Sequence, residues 1–534
     1  MRLLALAVLV LAQDDPNPFS LQLRTLEKDL TSGEYKTVVE AMIPTDLEAE
    51  WQRVATPDNY HAFEKRHGGA EKVAADPKLK AAYDRRKEIA TRFLDIMREA
   101  FAKKKRKAPF DDPAALVKVL EKSDRRGESK PAAELPVREI LAAPGAEKQW
   151  PAFRGPTGRS IVFDTKIPMK WSATENVLWK TELPGRGNSS PVVWGDRIFT
   201  TSEGEKAGKG PERLLLCYGR QDGKLLWKHA TEPAKELEGL YAKNTFASGT
   251  PVTDGERVIA FFGNGGLLCC DLEGKRLWHR DLGSFPTTHG TGASPVLYKD
   301  LVILIQDQNK GASLCAAFDK RTGEERWRRE RKQNMCWASP VLLRVGERDE
   351  LVFNGSFEVT SYDPATGETL WTAAGPSKES VPMIATGGGL LYSASGRNGP
   401  IFAIRPGGKG NITDTHVVWR NEIGGPHVPT PQYHDGRLYV IADTGVLSCL
   451  DAATGGLLYQ QRLRGWFSMS PLLVGDLLLM VNENGMTYVV KSGATCEVLE
   501  QNDLGEKTLA TPAVLGGRIY FRTEKHLVCV GGGK

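Results

Sequence analysis

The stretches FDKRTGEERW, residues 318–327, and YDPATGETLW, residues 362–371, share one spelling: an aromatic residue, Asp, three residues, Gly, then Trp four positions after the Gly. Asp favours such a turn because its carboxylate bonds the nearby backbone, and Gly accepts positive φ. The Trp then falls on the next extended run, where it buries on the order of 200 Å² against a neighbouring sheet. One indole per sheet, at Trp179, Trp227, Trp278, Trp327, Trp371 and Trp419, predicts a girdle that docks each sheet on the next through its ring and its N–H.

Outward from these turns, a larger unit repeats. It reads Ser/Thr-Pro, three apolar runs separated by turns, the Asp-x-x-x-Gly turn, then Trp. It begins at Pro191, Pro251, Pro295, Pro340, Pro382, Pro431, Pro471 and Pro512, with steps of 60, 44, 45, 42, 49, 40 and 41 residues. About four strands in about 45 residues is the spacing of a propeller blade. Eight starts meet seven ends, because the last unit stops after three strands. The stretch 176–183 supplies a strand with a Trp and no strands before it. The sequence therefore predicts a mainly β fold, an eight-bladed β-propeller over 150–534 with four-stranded antiparallel blades, its last blade closed by 176–183. Closure also removes an exposed sheet edge.

Upstream the pattern is different. MRLLALAVLVLA, residues 1–12, is one Arg, an apolar run and a small closing residue, too short for a membrane span and consistent with a secretory signal. Residues 20–123 read as a small all-α domain, with Asp76 as cap and Pro77 in the first turn of its clearest helix. The basic run Lys103–Lys107 suits the C-terminal end of that helix. Residues 124–149 read as a Pro- and charge-rich linker. No later stretch could span a bilayer, so the chain is expected to be exported and soluble, periplasmic or extracellular. A net charge of +5 over 534 residues argues against nucleic acid as a partner. Cys217, Cys269, Cys449 and Cys529 occupy equivalent places in different units, which suits small core residues better than disulfides.

The turn-and-Trp units resemble the tryptophan-docking repeats of the PQQ-like, quinoprotein-type eight-bladed propellers. WPAFRGPTGRS (150–160), GASPVLYKDLVILIQDQNKGASLCAAFDKRTGEERW (292–327) and CWASPV (336–341) are similar to an exported group of such repeat proteins in bacteria such as planctomycetes. The resemblance implies a fold and a compartment. Its superfamily also holds PQQ- and calcium-dependent alcohol and sugar dehydrogenases, as well as non-catalytic scaffolds. A dehydrogenase would need carboxylate and amide oxygens around a divalent cation, an Asp base and a capping pair of adjacent Cys. Cys269–Cys270 lies inside a strand before a docking turn and reads as core. No catalytic residue, metal ligand or resident cofactor is assigned, and PQQ with calcium enters only under the dehydrogenase alternative.

The segments leading into the first strands form one rim of the central channel. They offer Arg186, Asn188, Asn244, His289, Trp337, His427 and Trp466 as ligand candidates, with Asp307 and Arg331 near the same strands. The expected activity is that of a binding or scaffolding module for a protein partner or a saccharide-like ligand. Nothing in the sequence sets an oligomeric state.

Overall fold

In the computed structural model, the described residues are 74–81 and 84, then 134–532 without 163–165, 208, 232–234 and 334. The chain divides into two compact units, residues 1–130 and 131–534. The expected signal, nearly all of the 20–123 region and the basic run lie outside the described residues. Within the short described part, Asp76 Oδ1 accepts hydrogen bonds from the amides of Lys78 and Leu79. This is the geometry of an N-terminal helix cap. No described helix is long and apolar enough to cross a membrane.

Eight four-stranded antiparallel blades make up the second unit. Blade 1 spans Val192–Ala230, blade 2 Val252–Arg280, blade 3 Val296–Arg331 and blade 4 Val341–Ala374. Blade 5 spans Ala385–Gly425, blade 6 Gln432–Arg462, blade 7 Leu472–Asp503 and blade 8 Ala513–Gly531. Blade 8 has only three strands of its own. Its fourth is Val177–Glu182, antiparallel to His526–Gly531, with Trp179 opposite Cys529. The wheel closes as the unit count predicts.

Blades pack face to face through alternating apolar side chains. Cys269 and Cys270 illustrate this, since successive strand residues point to opposite faces. Cys269 belongs to the core shared by blades 2 and 3, and Cys270 to the core shared by blades 1 and 2. All eight Cys are free thiols. Burial pushes the Cys217, Cys270, Cys315, Cys336 and Cys529 thiols up to about 12.

The turns explain the opening motif. Five indole N–H groups donate to a carbonyl in the next blade: Trp179 to Arg220, Trp227 to Leu272, Trp278 to Lys320, Trp327 to Pro364 and Trp419 to Ala452. Each ring also lies against the turn glycine, namely Gly223, Gly274, Gly323, Gly367 and Gly455. These glycines have φ of +68° to +94°, and a methyl group on any of them would sit 2.5–2.7 Å from an indole carbon. The glycine therefore serves both the turn and the approach of the ring. Trp371 differs. Its N–H donates to Glu350 Oε2 within its own blade, because blade 5 lacks the Asp-x-x-x-Gly turn. There the connection before Trp419 is longer, and its Gly410–Asn411 pairs with Trp371–Thr372, covering the outer edge of blade 4.

The Ser/Thr of the Ser/Thr-Pro start is a staple. The amide of Ser190 donates to Thr250 Oγ1, Thr250 to Ser294 Oγ and Ser294 to Ser339 Oγ. Farther round, Met383 N donates to Thr430 Oγ1, Thr430 to Ser470 Oγ and Ser470 to Thr511 Oγ1. Each bond joins the innermost strand of one blade to the next.

Candidate functional site: the open mouth of the channel

The channel has two different ends. At the end where the first strands finish, the chain closes it with its own residues 136–162. Val137–Glu139 adds to the channel side of blade 4, and Ile161–Val162 adds to the channel side of blade 7. Between them Trp150 exchanges two backbone hydrogen bonds with Val193 of blade 1, and Pro151 O accepts the Thr253 amide of blade 2. Arg154 Nη2 donates to Gln432 Oε1 of blade 6, and Thr386 Oγ1 of blade 5 donates to Glu139. One segment thus touches the innermost strands of six blades. Trp150 and Arg154 are each 1 % exposed. Residues 134–149, the described part of the expected linker, contain the strand Val137–Glu139 and the 3-10 turn Ala146–Lys148 of this seal.

At the other end the mouth stays accessible. Most of the predicted rim residues meet there, in a continuous arc. Asn188 Nδ2 donates to Lys243 O, and Arg186 Nη2 to Asn244 O. Asn244 Nδ2 donates in turn to His289 O and Thr291 O, and Trp337 Nε1 to Gly290 O. The His289 ring packs edge-on to Trp337 at 5.9 Å and tilted to Tyr241 at 6.1 Å. His427 stands apart on blade 6, its amide bonded to Asp443 Oδ2. Trp466 is 59 % exposed, with the Lys243 ammonium 6.0 Å from its ring.

Asp307 and Arg331 do not line the mouth. They form a bidentate pair at 2.8 and 3.1 Å inside the interface of blades 3 and 4. The guanidinium lies over the Phe353 and Tyr362 rings. Burial raises the Asp307 carboxyl, and the facing Arg331 opposes that shift. Two polar residues 24 positions apart neutralise each other, which no local reading of the sequence displays.

Across the mouth runs a strap, residues 235–250, between blades 1 and 2. Glu238 fixes one end, its two carboxylate oxygens each 2.8 Å from Arg213 in a buried pair. The tip reaches across to blade 7, where Lys243 Nζ lies 2.8 Å from both oxygens of Glu483. Beside that bridge is a cavity of about 350 Å³, bounded by Arg186, Gly187 and Asn188, by strap residues 242, 243 and 245, and by blade 7 and 8 loops that include Glu483, Lys507 and Glu524. Sequence reading found Arg186 and Asn188 in it and Asn244 on the strap, and missed the strap's course to blade 7, Lys507, and Arg522 behind the wall. The 60-residue step to Pro251 is the one sequence signal of the strap.

The fold's dehydrogenase relatives raise the question of a quinone and a cation. Among the described residues, no group of three or more His, Cys, Asp or Glu side chains could hold a metal ion. Asp307 is committed to Arg331. Asn354, at the matching strand end of blade 4, spends its amide on Pro382 O, Ala394 O and Ser393 Oγ. Cys269 and Cys270 face opposite cores and cannot form a ring over the channel. These residues do not fit that cofactor pair.

The family model PQQ_2, described as outer membrane protein assembly factor BamB, matches residues 169–335, 211–404 and 355–503. This chain belongs to that family. Outer membrane protein assembly factor BamB of Yersinia pestis is 21% identical over 290 residues, covering 50% of this chain and 69% of that one. Among solved structures, the quinohemoprotein alcohol dehydrogenase ADHIIG of Pseudomonas putida HK5 superposes with a TM-score of 0.58 at 13% identity, over 74% of this chain and 84% of its own. The quinohemoprotein alcohol dehydrogenase of Comamonas testosteroni gives 0.55 at 12%, over 74% and 82%. At such identities the structural likeness speaks for the propeller alone.

Proposed function

We propose that this PQQ_2 chain is an exported, non-catalytic binding module whose open mouth engages a protein partner, with the helical region of residues 20–123 available for a second contact. One observation carries the reading: the chain seals one mouth of its own channel and leaves the other ringed by polar and aromatic side chains, with Trp466 59 % exposed. The side chains that a cation-assisted oxidation would need are committed elsewhere. Trp466, exposed beside the Lys243–Glu483 bridge, has the character of an interface anchor. Export rests on the apolar run of residues 3–11. The alternative, a PQQ- and calcium-dependent alcohol or sugar dehydrogenase, rests on fold, and fold does not carry activity.

The test is proximity crosslinking from residue 466 in the exporting cell, run beside the Trp466→Ala and Lys243→Glu variants. A protein recovered with the wild type, and lost with the rim variants but not with a variant on an outer strand, supports the reading. A signal indifferent to the rim overturns it, and so does one recovered only from the cytoplasm. A glycan array reports the saccharide outcome. Titration with PQQ and calcium and a dye-reduction assay against alcohols and sugars are expected to give neither binding nor turnover.

A further inference from the structure

Arg522 ends the second strand of blade 8, and its side chain is not where an arginine is usually kept. It is 1 % exposed. Its Nη1 donates to Thr201 O at 2.8 Å and to Ser189 Oγ at 3.4 Å, while Nε and Nη2 are buried without a hydrogen-bond partner. No carboxylate lies within ion-pair distance of it among the described residues. Glu203 acts on it at longer range and is itself bonded to the Phe246 amide. Burial holds the guanidinium down to about 10. Arg213 and Arg331, buried as deeply, each have a bidentate carboxylate, whereas Arg154 in the seal has none but bonds Ser160, the Arg159 carbonyl and Gln432.

The unpaired cation lies directly behind the cavity at the open mouth. A methyl group built on Gly187, a wall residue of that cavity, would sit 2.3 Å from Arg522 Nη2 and 2.6 Å from its central carbon. Only glycine permits this approach. In front of the wall, Arg186 and Lys507 line the same cavity, and among the described residues neither side chain has a carboxylate partner; the Arg186 guanidinium bonds the Asn244 carbonyl. Glu483 is spent on Lys243, which leaves Glu524 as the other acid in the lining, with no ion-pair partner among the described residues. An uncompensated buried cation costs several kcal/mol, and an apolar residue of similar volume would avoid that cost. A site that keeps one, with two more free cations in front of it, is arranged for negative charge.

We propose that this cavity, between the strap and the entrances of blades 8 and 1, binds an anionic group, a carboxylate or a phosphate. Arg186 and Lys507 make the direct contacts, and Arg522 supplies charge through the Gly187 wall. The proposal rests on the reading of the open mouth as the binding site. It adds the chemistry of what is bound.

Isothermal titration of the purified chain with inorganic phosphate, and separately with succinate, tests it. The expected result is saturable binding of one of them with Kd of order 1 mM or tighter, weakened by added salt. Phosphate alone binding identifies a phosphate group, and succinate alone a carboxylate. The surface variants Arg186→Gln and Lys507→Gln are expected to weaken binding about tenfold each with an unchanged melting temperature. Arg522→Met is expected to lose binding while melting no lower than wild type. Absence of binding by both anions overturns the proposal. Equal affinity in the Arg186→Gln, Lys507→Gln double variant also overturns it. If the anions fail while crosslinking from residue 466 still depends on the rim, the binding reading stands without the anion site. If they bind while crosslinking is indifferent to the rim, the anion site stands alone.

Discussion

The two mouths of the channel are held by different kinds of bond. The sealed mouth is closed by backbone, as residues 136–162 lend short strands to blades 4 and 7 and place Trp150 in hydrogen-bonded register with Val193. The open mouth is spanned by the strap, which backbone bonds tie along its near side, Gly239 N to Thr287 O and Tyr241 N to His289 O, while its reach to blade 7 is made by the Lys243–Glu483 ion pair. Backbone pairing fixes register and persists, whereas the Lys243–Glu483 pair, with its ammonium half-exposed, contributes at most about 1 kcal/mol and exchanges readily. The sealed end therefore belongs to the fold, and the open end is free to respond to a ligand.

Exchanging tryptophans between the ends breaks this comparison if it is wrong. Trp150→Ala removes a buried indole from the seal and is expected to cost about 3–5 kcal/mol, read from urea denaturation. Trp466→Ala, at the open mouth, is expected to stay within about 0.5 kcal/mol of wild type. Equal costs would mean that the seal is no more part of the fold than the rim. A second contrast lies within the strap. Glu238→Ala leaves Arg213 buried and unpaired, so about 3 kcal/mol of local stability is expected to be lost, seen as faster amide hydrogen exchange over 235–250. Glu483→Ala, at the tip, is expected to change that exchange by less than tenfold.

The same division explains what could be read from the sequence. Blades are periodic, so Pro spacing, the Asp-x-x-x-Gly turns and the orphan strand at 176–183 are visible as one pattern, and the fold follows from it. The seal is not periodic. Its strands are two and three residues long, and they pair with partners more than 200 residues away. WPAFRGPTGRS is visible as a motif, yet nothing local says that it crosses a channel. Rim residues could be named because the segments before each Ser/Thr-Pro must lie together. Their roles could not, since Asp307 with Arg331 joins two strand ends of blade 3 and Glu238 with Arg213 joins the strap to blade 1, each pair more than 20 positions apart in the chain. Arg522 had one local signal, a charge directly after the apolar run IYF at 519–521.

A smaller effect tests the staples on the inner strands. Ser294→Ala removes the acceptor for the Thr250 amide while the blades keep their apolar contacts, so a loss of about 1–2 kcal/mol is expected. Ser339→Ala, the acceptor for Ser294, is expected to match it. An unmeasurable change at both sites would mean that water replaces the hydroxyl and that the ring of Ser/Thr is incidental to wheel closure.

The smallest expected effect concerns the seam where the wheel closes. Burial would raise the Glu506 carboxyl, but bonds from Thr523 Oγ1, the Lys525 amide and the His526 ring, with Lys180 of the closing strand at 3.1 Å, hold it at about 2. Its ordinary value is near 4.5. A carboxyl depressed by folding stabilises above its unfolded pKa, and that contribution fades as pH falls from about 4.5 toward 2. The urea midpoints of wild type and Glu506→Gln are therefore expected to differ above pH 4.5 and to converge toward pH 2. Parallel curves would place the acid sensitivity elsewhere. Because Lys180 lies in the strand that the chain's beginning lends to its last blade, convergence would locate part of the acid response at the closure, the one seam where a propeller made from a single chain can come undone.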